Sequence, residues 1–189
     1  MNQADIGAQI IKTALEFINL YETKSNAAWA NVADSSTPAE EGKEIHDAML
    51  KTGWRDGLPY CMAFAETVWR LAYQDAKAPD AVVANFTKLL CPSVMASYSA
   101  IKHNATKKPI PGSIFFMQSG GAATGHAGIV VSADSKSIAT IEGNTSPGHA
   151  ASTEADRNGD GIYKKVRTLD FTVKSKGLHL LGFYNPVVW

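Results

Sequence analysis

The sequence contains little cysteine and no arrangement of side chains typical of a bound metal. Only two of its 189 residues are cysteines, Cys61 and Cys91. Two thiols are too few for a disulfide framework, and no Cys-x-x-Cys pair occurs. The five histidines are scattered without the spacing that zinc ligands adopt. We therefore expect no metal and no cofactor, and the question becomes whether either cysteine is chemically active.

The chain also lacks a charge excess and a long apolar run. Lys plus Arg and Asp plus Glu each number 18, so the formal net charge is zero, whereas proteins that hold nucleic acid by its phosphates usually carry a basic excess. No stretch approaches the roughly 18 apolar residues of a membrane-spanning helix. A secretory signal begins with a basic segment followed by an apolar run, and this pattern is absent from the start of the chain. These absences predict no nucleic-acid partner, no membrane partner, and synthesis in the cytoplasm without a signal peptide.

Composition and length are those of an ordinary globular domain. Hydrophobic residues make up 45% and charged residues 19% of the chain, which argues against disorder. The length is near that of an average domain, and neither a repeat nor a linker is visible. We therefore predict a single domain over 1–189, with a helical front at 1–105 and a sheet at 110–189.

The front of the chain has the apolar spacing of helices. Helical segments are predicted after Asp5 and at about 40–52, 61–75, 80–90 and 93–103. Asp5 is a candidate N-cap of the first helix, and the polar residues over 21–38 indicate a loop. The segment 61–75 gives the strongest helical signal, because it has no Gly or Pro and is apolar on nearly every side, as buried helices are.

The back of the chain changes to a strand pattern after Pro109. Five short runs rich in Ile and Val stand at hairpin spacing, at about 113–118, 125–132, 137–143, 161–168 and 178–184. Helices first and an antiparallel sheet second indicate an α+β fold and not a parallel, doubly wound one. The expected architecture is N-terminal helices packed on a C-terminal antiparallel sheet of about five strands.

Cys61 is the candidate nucleophile because of its place at a helix start. It follows a turn containing Gly57 and Pro59, and the helix dipole lowers the pKa of a thiol at a helix N-terminus. A buried structural cysteine is the alternative, since cysteine is among the most buried residue types. Cys91 lies inside an apolar segment and is interpreted as a packed core thiol. A disulfide between the two is disfavoured in a chain without an export signal.

His126 is the candidate base, and the strand after it offers a partner. Glu142 and Asn144 stand near the end of that strand and share a face, because side chains alternate with period two. A hairpin with a three-residue loop centred on Asp134 puts His126 opposite Glu142, whose carboxylate is the natural partner of the imidazole N–H. A solvated histidine at a strand end is the alternative. A slip of one residue would put the two side chains on opposite faces.

One motif stands apart from these residues. Residues 156–161 have the sequence Asp-Arg-Asn-Gly-Asp-Gly, which matches the first half of a calcium-binding loop. The twelfth position, a Glu in such loops, is Arg167, and the residues after the motif have a strand pattern and not a helical one. We favour a turn leading into that strand, and whether 156–160 bind calcium stays open.

Four segments, taken together, carry a family resemblance. They are 57–64 (Gly-Leu-Pro-Tyr-Cys-Met-Ala-Phe), 111–116 (Pro-Gly-Ser-Ile-Phe-Phe), 125–131 (Gly-His-Ala-Gly-Ile-Val-Val) and 141–145 (Ile-Glu-Gly-Asn-Thr). This set resembles the CHAP family, the cysteine- and histidine-dependent amidohydrolases and peptidases related to NlpC-type cell-wall peptidases. The segment 158–169 also looks like the strand that follows in phage-lysin members, and the resemblance covers about 54–185.

The resemblance implies a papain-like α+β fold and a set of catalytic residues. The family's Cys, His, Glu and Asn fall on Cys61, His126, Glu142 and Asn144. Family members often have Trp before the cysteine, where this chain has Tyr60. The Cys-Gly-[Ser/Ala]-Cys-[Trp/Tyr] signature of papain itself is absent, so the implied kinship with papain is one of fold.

The implied function is hydrolysis of an amide bond in bacterial peptidoglycan, by an amidase or endopeptidase that forms a thioester. The implied partner is a stem peptide or cross-bridge, with no cofactor and with a monomeric enzyme. We expect action on the cell wall after release as a phage lysin or delivery as a secreted effector, which would bring a delivery system or an immunity partner. Two alternatives stay open: a thiol amidase or deamidase acting on a protein or small amide, and a non-catalytic domain of the same fold.

Overall fold

The computed structural model describes residues 1–22, 29–31, 34–38, 40–147 and 159–189. Within these ranges the helices are α1 (Gln3–Glu16), α2 (Glu40–Leu50), α3 (Cys61–Asp75), α4 (Asp80–Thr87) and α5 (Val94–Ile101). The strands are β1 (Leu20–Glu22), β2 (Trp29–Asn31), β3 (Asp34–Pro38), β4 (Ile114–Ser119), β5 (Gly125–Ala133), β6 (Ser137–Thr145), β7 (Gly161–Thr168) and β8 (Leu178–Tyr184). The predicted order of helices before a main antiparallel sheet is confirmed.

The helices form where the apolar spacing predicts them. Helix α3 begins at Cys61 and is buried over most of its length, as its sequence indicates. Helix α1 is capped one turn earlier than predicted, because the Asn2 side chain accepts a hydrogen bond from the Asp5 backbone N–H at 2.9 Å. The prediction of Asp5 as N-cap is therefore wrong. None of the helices in the described ranges is long and apolar enough to cross a membrane.

All of these strands join one antiparallel sheet in the order β3-β2-β1-β7-β6-β5-β4-β8. The five predicted strands are β4 to β8, and the three short strands β1 to β3 extend the sheet at one edge. The prediction of a loop over 21–38 is therefore wrong for the residues that form these strands. Tyr21 of β1 pairs with Gly161 of β7, so backbone pairing with an existing edge forms these strands. Their sequences of three to five residues are too short to show an alternation that would predict them.

The sheet buries apolar side chains on both faces. Neighbouring residues of a strand point to opposite faces, and Phe116 belongs to the larger core while Phe115 belongs to a smaller one. The larger core includes residues of the helices, such as Ile10 of α1 and Trp69 of α3, together with Ile129 of β5. Helix α3 therefore lies firmly on the sheet, and its N-terminus has a defined position.

Gly112, just before β4, lets both long helices approach the sheet. Its φ is +85°, and a Cβ at this position would lie 2.7 Å from the Gly7 Cα of α1. The Gly112 carbonyl accepts a hydrogen bond from the Trp69 indole of α3 at 2.9 Å. A larger residue would separate α1 from the backbone just before β4, where α3 is also anchored.

Candidate active site

Cys61 lies at the base of an open cleft at the N-terminus of α3. The cleft has a volume of about 320 Å³. Besides Cys61, it is lined by the uncharged residues Leu58, Pro59, Pro92, Ser93, Val94, Ala123, Thr124 and Gly125. The Cys61 side chain faces this space although the residue is only 4% exposed. The cleft therefore gives access to the thiol through a neutral, mostly apolar surface.

His126 of β5 and Glu142 of β6 form a buried pair beside the thiol. The distance from His126 Nε2 to Glu142 Oε2 is 2.8 Å, and both side chains are fully buried. The other ring nitrogen, Nδ1, has no conventional hydrogen bond within the described residues. Since Nε2 is engaged by the carboxylate, Nδ1 is the nitrogen left for the Cys61 thiol.

The surroundings of Cys61 and His126 favour a thiolate–imidazolium pair. Burial opposes ionisation of the thiol, but hydrogen bonding and charge interaction with His126, with help from the backbone N–H groups of Ala127 and Met62, lower the pKa of Cys61 overall. Burial likewise opposes the charged imidazole, but Cys61 and Glu142 raise the pKa of His126 to about 9. At a pH above the lowered pKa of Cys61 and below about 9, both groups carry charge.

The hairpin of β5 and β6 has a different register from the predicted one. Ile129 lies opposite Ile141. Continuing that register places Glu142 opposite Gly128, where an added Cβ would lie 2.9 Å from Glu142 Cγ. His126 and Glu142 are then diagonal neighbours. The predicted register is wrong by two residues, and the two side chains still meet because an even shift preserves the face.

A β-bulge keeps His126 and Glu142 on one face. Nearer the turn Ser132 lies opposite Ala139, and the register shifts between Val130 and Ser132, so β5 carries one extra residue. Extending the pairing near the turn without this bulge would move the strand by one residue. His126 and Glu142 would then point to opposite faces of the sheet.

Arg167 of β7 binds the other side of Glu142. Its Nε donates to Glu142 Oε1 at 2.9 Å, and its terminal nitrogen donates to Oε2 in a second, short contact. The Thr140 hydroxyl donates to Glu142 Oε1 at 2.5 Å. Burial opposes ionisation of Glu142, but Arg167 first and His126 second hold its pKa far below the usual range.

Arg167 and Thr140 were not predicted as parts of the site, and Arg167 was interpreted only as the twelfth position of a calcium loop. A signal was present, since alternation along β7 puts Lys165 and Arg167 on one face. Both are almost fully buried, 2% and 1% exposed, and a buried cation indicates a buried anion as its partner.

Asn144 lies next to the other three residues and contacts the chain before the nucleophile. Its Oδ1 accepts a hydrogen bond from the Tyr60 backbone N–H at 3.1 Å. Its backbone is left-handed, with φ of +56°, a conformation that Asn tolerates better than most residues. The structure thus brings Cys61, His126 and Glu142 into direct interaction, and the Asn144 side chain of β6 contacts the segment that leads into α3.

Two other predictions about single residues need correction. The sequence places His46 among charged residues on an amphipathic helix, which predicts a solvated side chain, but this side chain is only 12% exposed and its Nε2 lies 2.8 Å from Asp56 Oδ1. Cys91 was expected to be a packed core thiol, but it is half-buried and its Sγ lies 3.6 Å from the Ser97 hydroxyl. Both cysteines are free.

The candidate calcium loop falls largely outside the described residues. Positions 156–158 lie in the range 148–158, which the structure does not describe. Across the described ranges no group of three or more His, Cys, Asp or Glu side chains is placed to hold a metal ion. Arg167, the twelfth position of the motif, is engaged with Glu142.

A half-buried carboxyl, Glu22, lies behind the N-terminus of α3. Burial raises its pKa to about 7, against a hydrogen bond from Tyr60 and with repulsion from Asp160. The folded-state pKa therefore lies above the ordinary value of 4.5. The protonated form contributes stability that is complete below about pH 4.5 and is lost as the pH rises through about 7.

Replacing Glu22 with Gln is therefore expected to raise the melting temperature at pH 8 by about 2 °C or more and to leave it nearly unchanged at pH 5. Circular dichroism melts at the two pH values measure this difference. The matched control is Glu16→Gln, at an exposed position of α1, which should give the same small change at both. An equal gain for Glu22→Gln at pH 5 and pH 8 would show that its charge is not the cause.

The fold and the site together define a class of protein. A thiol at a helix N-terminus, facing a histidine and carboxylate on an antiparallel sheet, is the arrangement that nucleophilic thiol enzymes use. Residues 53–144, just under half of the chain, match the family model of the CHAP domain. No curated protein and no solved structure matches the chain significantly.

The family match indicates a class of activity. CHAP domains are generally hydrolases, amidases or peptidases, that act on peptidoglycan in the cell wall. The matched segment includes Cys61, His126 and Glu142 and ends at Asn144. Arg167 lies beyond it.

Proposed function

We propose that the protein is a cysteine-dependent hydrolase that cleaves an amide bond of peptidoglycan, as an amidase or endopeptidase, through a thioester on Cys61. The observation that carries the proposal is the interaction of a cleft-lining thiol with a buried imidazole whose other nitrogen lies 2.8 Å from a carboxylate. A cysteine with only a structural role would not need a histidine and a carboxylate as successive partners. The lowered pKa of Cys61 is the property that a thiol nucleophile needs.

The first half of the reaction follows from the charge states. The Cys61 thiolate attacks the amide carbonyl carbon, and negative charge develops on the carbonyl oxygen. The Cys61 backbone N–H, free of an intrahelical partner at the start of α3, is one donor to this oxygen. The C–N bond then breaks as the His126 imidazolium protonates the leaving amine. The product is a thioester on Cys61 and a neutral imidazole.

The second half regenerates the enzyme. Neutral His126 takes a proton from a water molecule, and the resulting hydroxide attacks the thioester carbonyl. The C–S bond breaks, the carboxylic acid product leaves, and the thiolate–imidazolium pair is restored. Glu142 supports both halves because its carboxylate stabilises the imidazolium form and fixes the orientation of the ring.

Asn144 has a positioning role in this proposal. Its side chain holds the Tyr60 backbone N–H at 3.1 Å, one residue before the nucleophile. This contact fixes the first turn of α3 relative to β6, and so fixes the distance between Cys61 and His126. Asn144 therefore acts through the backbone of the helix start, whereas Glu142 acts on the imidazole.

The proposal also includes where the protein acts. The family associates the domain with the cell wall. We propose that the protein reaches the wall by release as a lysin or by delivery as an effector, and that it works there as a monomer. Among the described residues, no charged side chain lines the cleft beside Cys61, so recognition at this position rests on shape and on neutral hydrogen bonding.

Digestion of purified peptidoglycan tests the proposed function. We expect the protein to release fragments whose masses show one hydrolysed amide, located by mass spectrometry at a stem peptide, a cross-bridge or the sugar–peptide junction. The experiment uses the Cys91→Ala protein, in which iodoacetamide reaches Cys61 alone, and alkylated protein should release nothing. Equal release before and after complete alkylation would contradict the thiol mechanism. Cleavage of a protein or small amide, with none of peptidoglycan, would favour the alternative thiol amidase.

A further inference from the structure

The buried charges extend one residue beyond the Cys61, His126 and Glu142 of the proposed function. Arg167 is 1% exposed and contacts both oxygens of the Glu142 carboxylate. Oxygen Oε2 is shared, since it also lies 2.8 Å from His126 Nε2. We propose that Arg167 is a positioning residue of this site: its guanidinium holds the Glu142 carboxylate in the orientation and charge state in which it polarises His126. This inference rests on the proposed function and deepens it.

Glu142 needs such a partner because it is fully buried. A carboxylate away from water takes up a proton unless cations or hydrogen-bond donors compensate the lost hydration. Arg167 is the first compensating group and His126 the second. A protonated Glu142 would have no negative charge to stabilise the imidazolium. The charge on His126 therefore depends on Arg167, although the two side chains act on each other only through Glu142.

The shape of the contact also matters. A planar guanidinium binds both oxygens of a carboxylate at once and so fixes the plane of the group. The Thr140 hydroxyl, at 2.5 Å from Oε1, restrains the same group from within β6. Together they leave Oε2 directed at His126 Nε2. A lysine at position 167 would supply the charge from a single nitrogen, without the planar pair of donors that binds both oxygens.

In the described ranges, few titratable groups surround His126 and Glu142. On β7, Arg167 binds Glu142, and Tyr163 lies opposite Glu142 in the strand register. Lys165, on the same strand, donates from its Nζ to the Ser146 carbonyl at 2.9 Å. From α3, the Cys61 thiol is the group that faces His126. In the described ranges, the charges that act on His126 are those of Cys61 and Glu142.

Alkylation of Cys61 measures this role without any substrate. We would follow the rate of iodoacetamide alkylation from pH 5 to pH 10 in the Cys91→Ala protein, which reports the thiolate of Cys61 alone. Arg167→Gln should move the acid limb of the profile upward by about one pH unit or more, because a weakened imidazolium no longer stabilises the thiolate. Arg167→Lys should give a smaller shift in the same direction. Nuclear magnetic resonance titration of His126 should show its pKa falling in the same order.

The matched control is Lys165→Gln, which removes a second buried cation from the same face of β7. It should lower the melting temperature without moving the alkylation profile. A profile of Arg167→Gln that superimposes on the parent, or a shift as large in Lys165→Gln, would overturn the proposal. If Arg167→Gln does not fold, Arg167→Lys decides, and an unshifted profile there contradicts the role.

The test also separates this inference from the proposed function. Alkylation does not require peptidoglycan. A parent protein with a low-pH alkylation limb that moves in Arg167→Gln, but with no amide hydrolysis in the digestion experiment, would overturn the proposed function and keep the role of Arg167. Amide hydrolysis by the parent, with an alkylation limb that does not move in Arg167→Gln, would overturn the role of Arg167 and keep the proposed function.

Discussion

Replacing Cys61 with Ala is expected to reduce peptidoglycan hydrolysis by at least about a thousandfold, because no other side chain of the cleft can form the covalent intermediate. The cleft offers the hydroxyls of Ser93 and Thr124, but neither is paired with an imidazole. The loss should appear in the rate of fragment release at saturating peptidoglycan. The fold should be retained, since the change removes one sulfur atom that lines the cleft.

Cys91→Ala is the matched control for this prediction. Cys91 is a free thiol that contacts Ser93 and Ser97, and it is not among the residues that line the cleft. Its removal should leave hydrolysis within about twofold of the parent. Circular dichroism spectra and melting temperatures of both variants establish that they are folded. Substantial hydrolysis by purified, folded Cys61→Ala would refute the assignment of the nucleophile.

Replacing His126 with Ala is expected to lower hydrolysis by about a hundred- to ten-thousandfold, the range typical of a lost general acid–base group. The variant also loses the partner that lowers the pKa of Cys61. At pH 6 the thiolate fraction, and with it the iodoacetamide alkylation rate, should fall by at least about tenfold. Glu142 keeps its bonds to Arg167 and Thr140, so the charged core of the sheet remains paired.

Stability measurements provide an independent readout for His126. Its pKa is raised from 6.5 to about 9, so the charged ring contributes stability that is complete below about pH 6.5 and is lost as the pH rises through about 9. The lowered pKa of Cys61 acts in the opposite direction over this range, because the unfolded thiol keeps a proton that the folded one has lost. The parent melting temperature should therefore change little between pH 7 and pH 9, whereas that of His126→Ala, in which burial opposes ionisation of the thiol without its partner, should fall as the pH rises above about 9. His126→Gln, which fills more of the same space without a titrating ring, controls for the cavity. An alkylation rate at pH 6 that is unchanged in both variants would contradict the pairing of Cys61 with His126.

Local sequence was a good guide to the elements that carry the site. Helix α3 begins at Cys61, as its apolar pattern predicts, and β7 and β8 have the predicted bounds. These elements are long and regular, and their spacing is set by neighbours within a few residues. The three strands of the front part were not predictable in this way. Strand β3, with the sequence Asp-Ser-Ser-Thr-Pro, has little strand propensity and forms because β2 offers it an edge.

The residues of the candidate site also divide into those that local sequence predicts and those that it does not. Cys61 and His126 could be found because each stands at the start of an element with a suitable neighbourhood. Glu142 could be found because a carboxylate in an apolar strand needs a partner. Arg167 was missed because a cation on a strand is usually solvated, and only its burial against Glu142 shows that it is not. The extent of the domain over 1–189 stays a prediction.

The sequence by itself determined which chemical groups are available and which local elements carry them, since apolar spacing and helix starts depend on nearby residues. The tertiary structure decided which of these groups meet. Asn144 holds the backbone of Tyr60, 84 residues away, and Arg167 holds Glu142, 25 residues away. The bulge between Val130 and Ser132 keeps Glu142 on the face of His126. Such contacts follow from strand register and packing, and a shift of one residue, invisible in local sequence, would remove them.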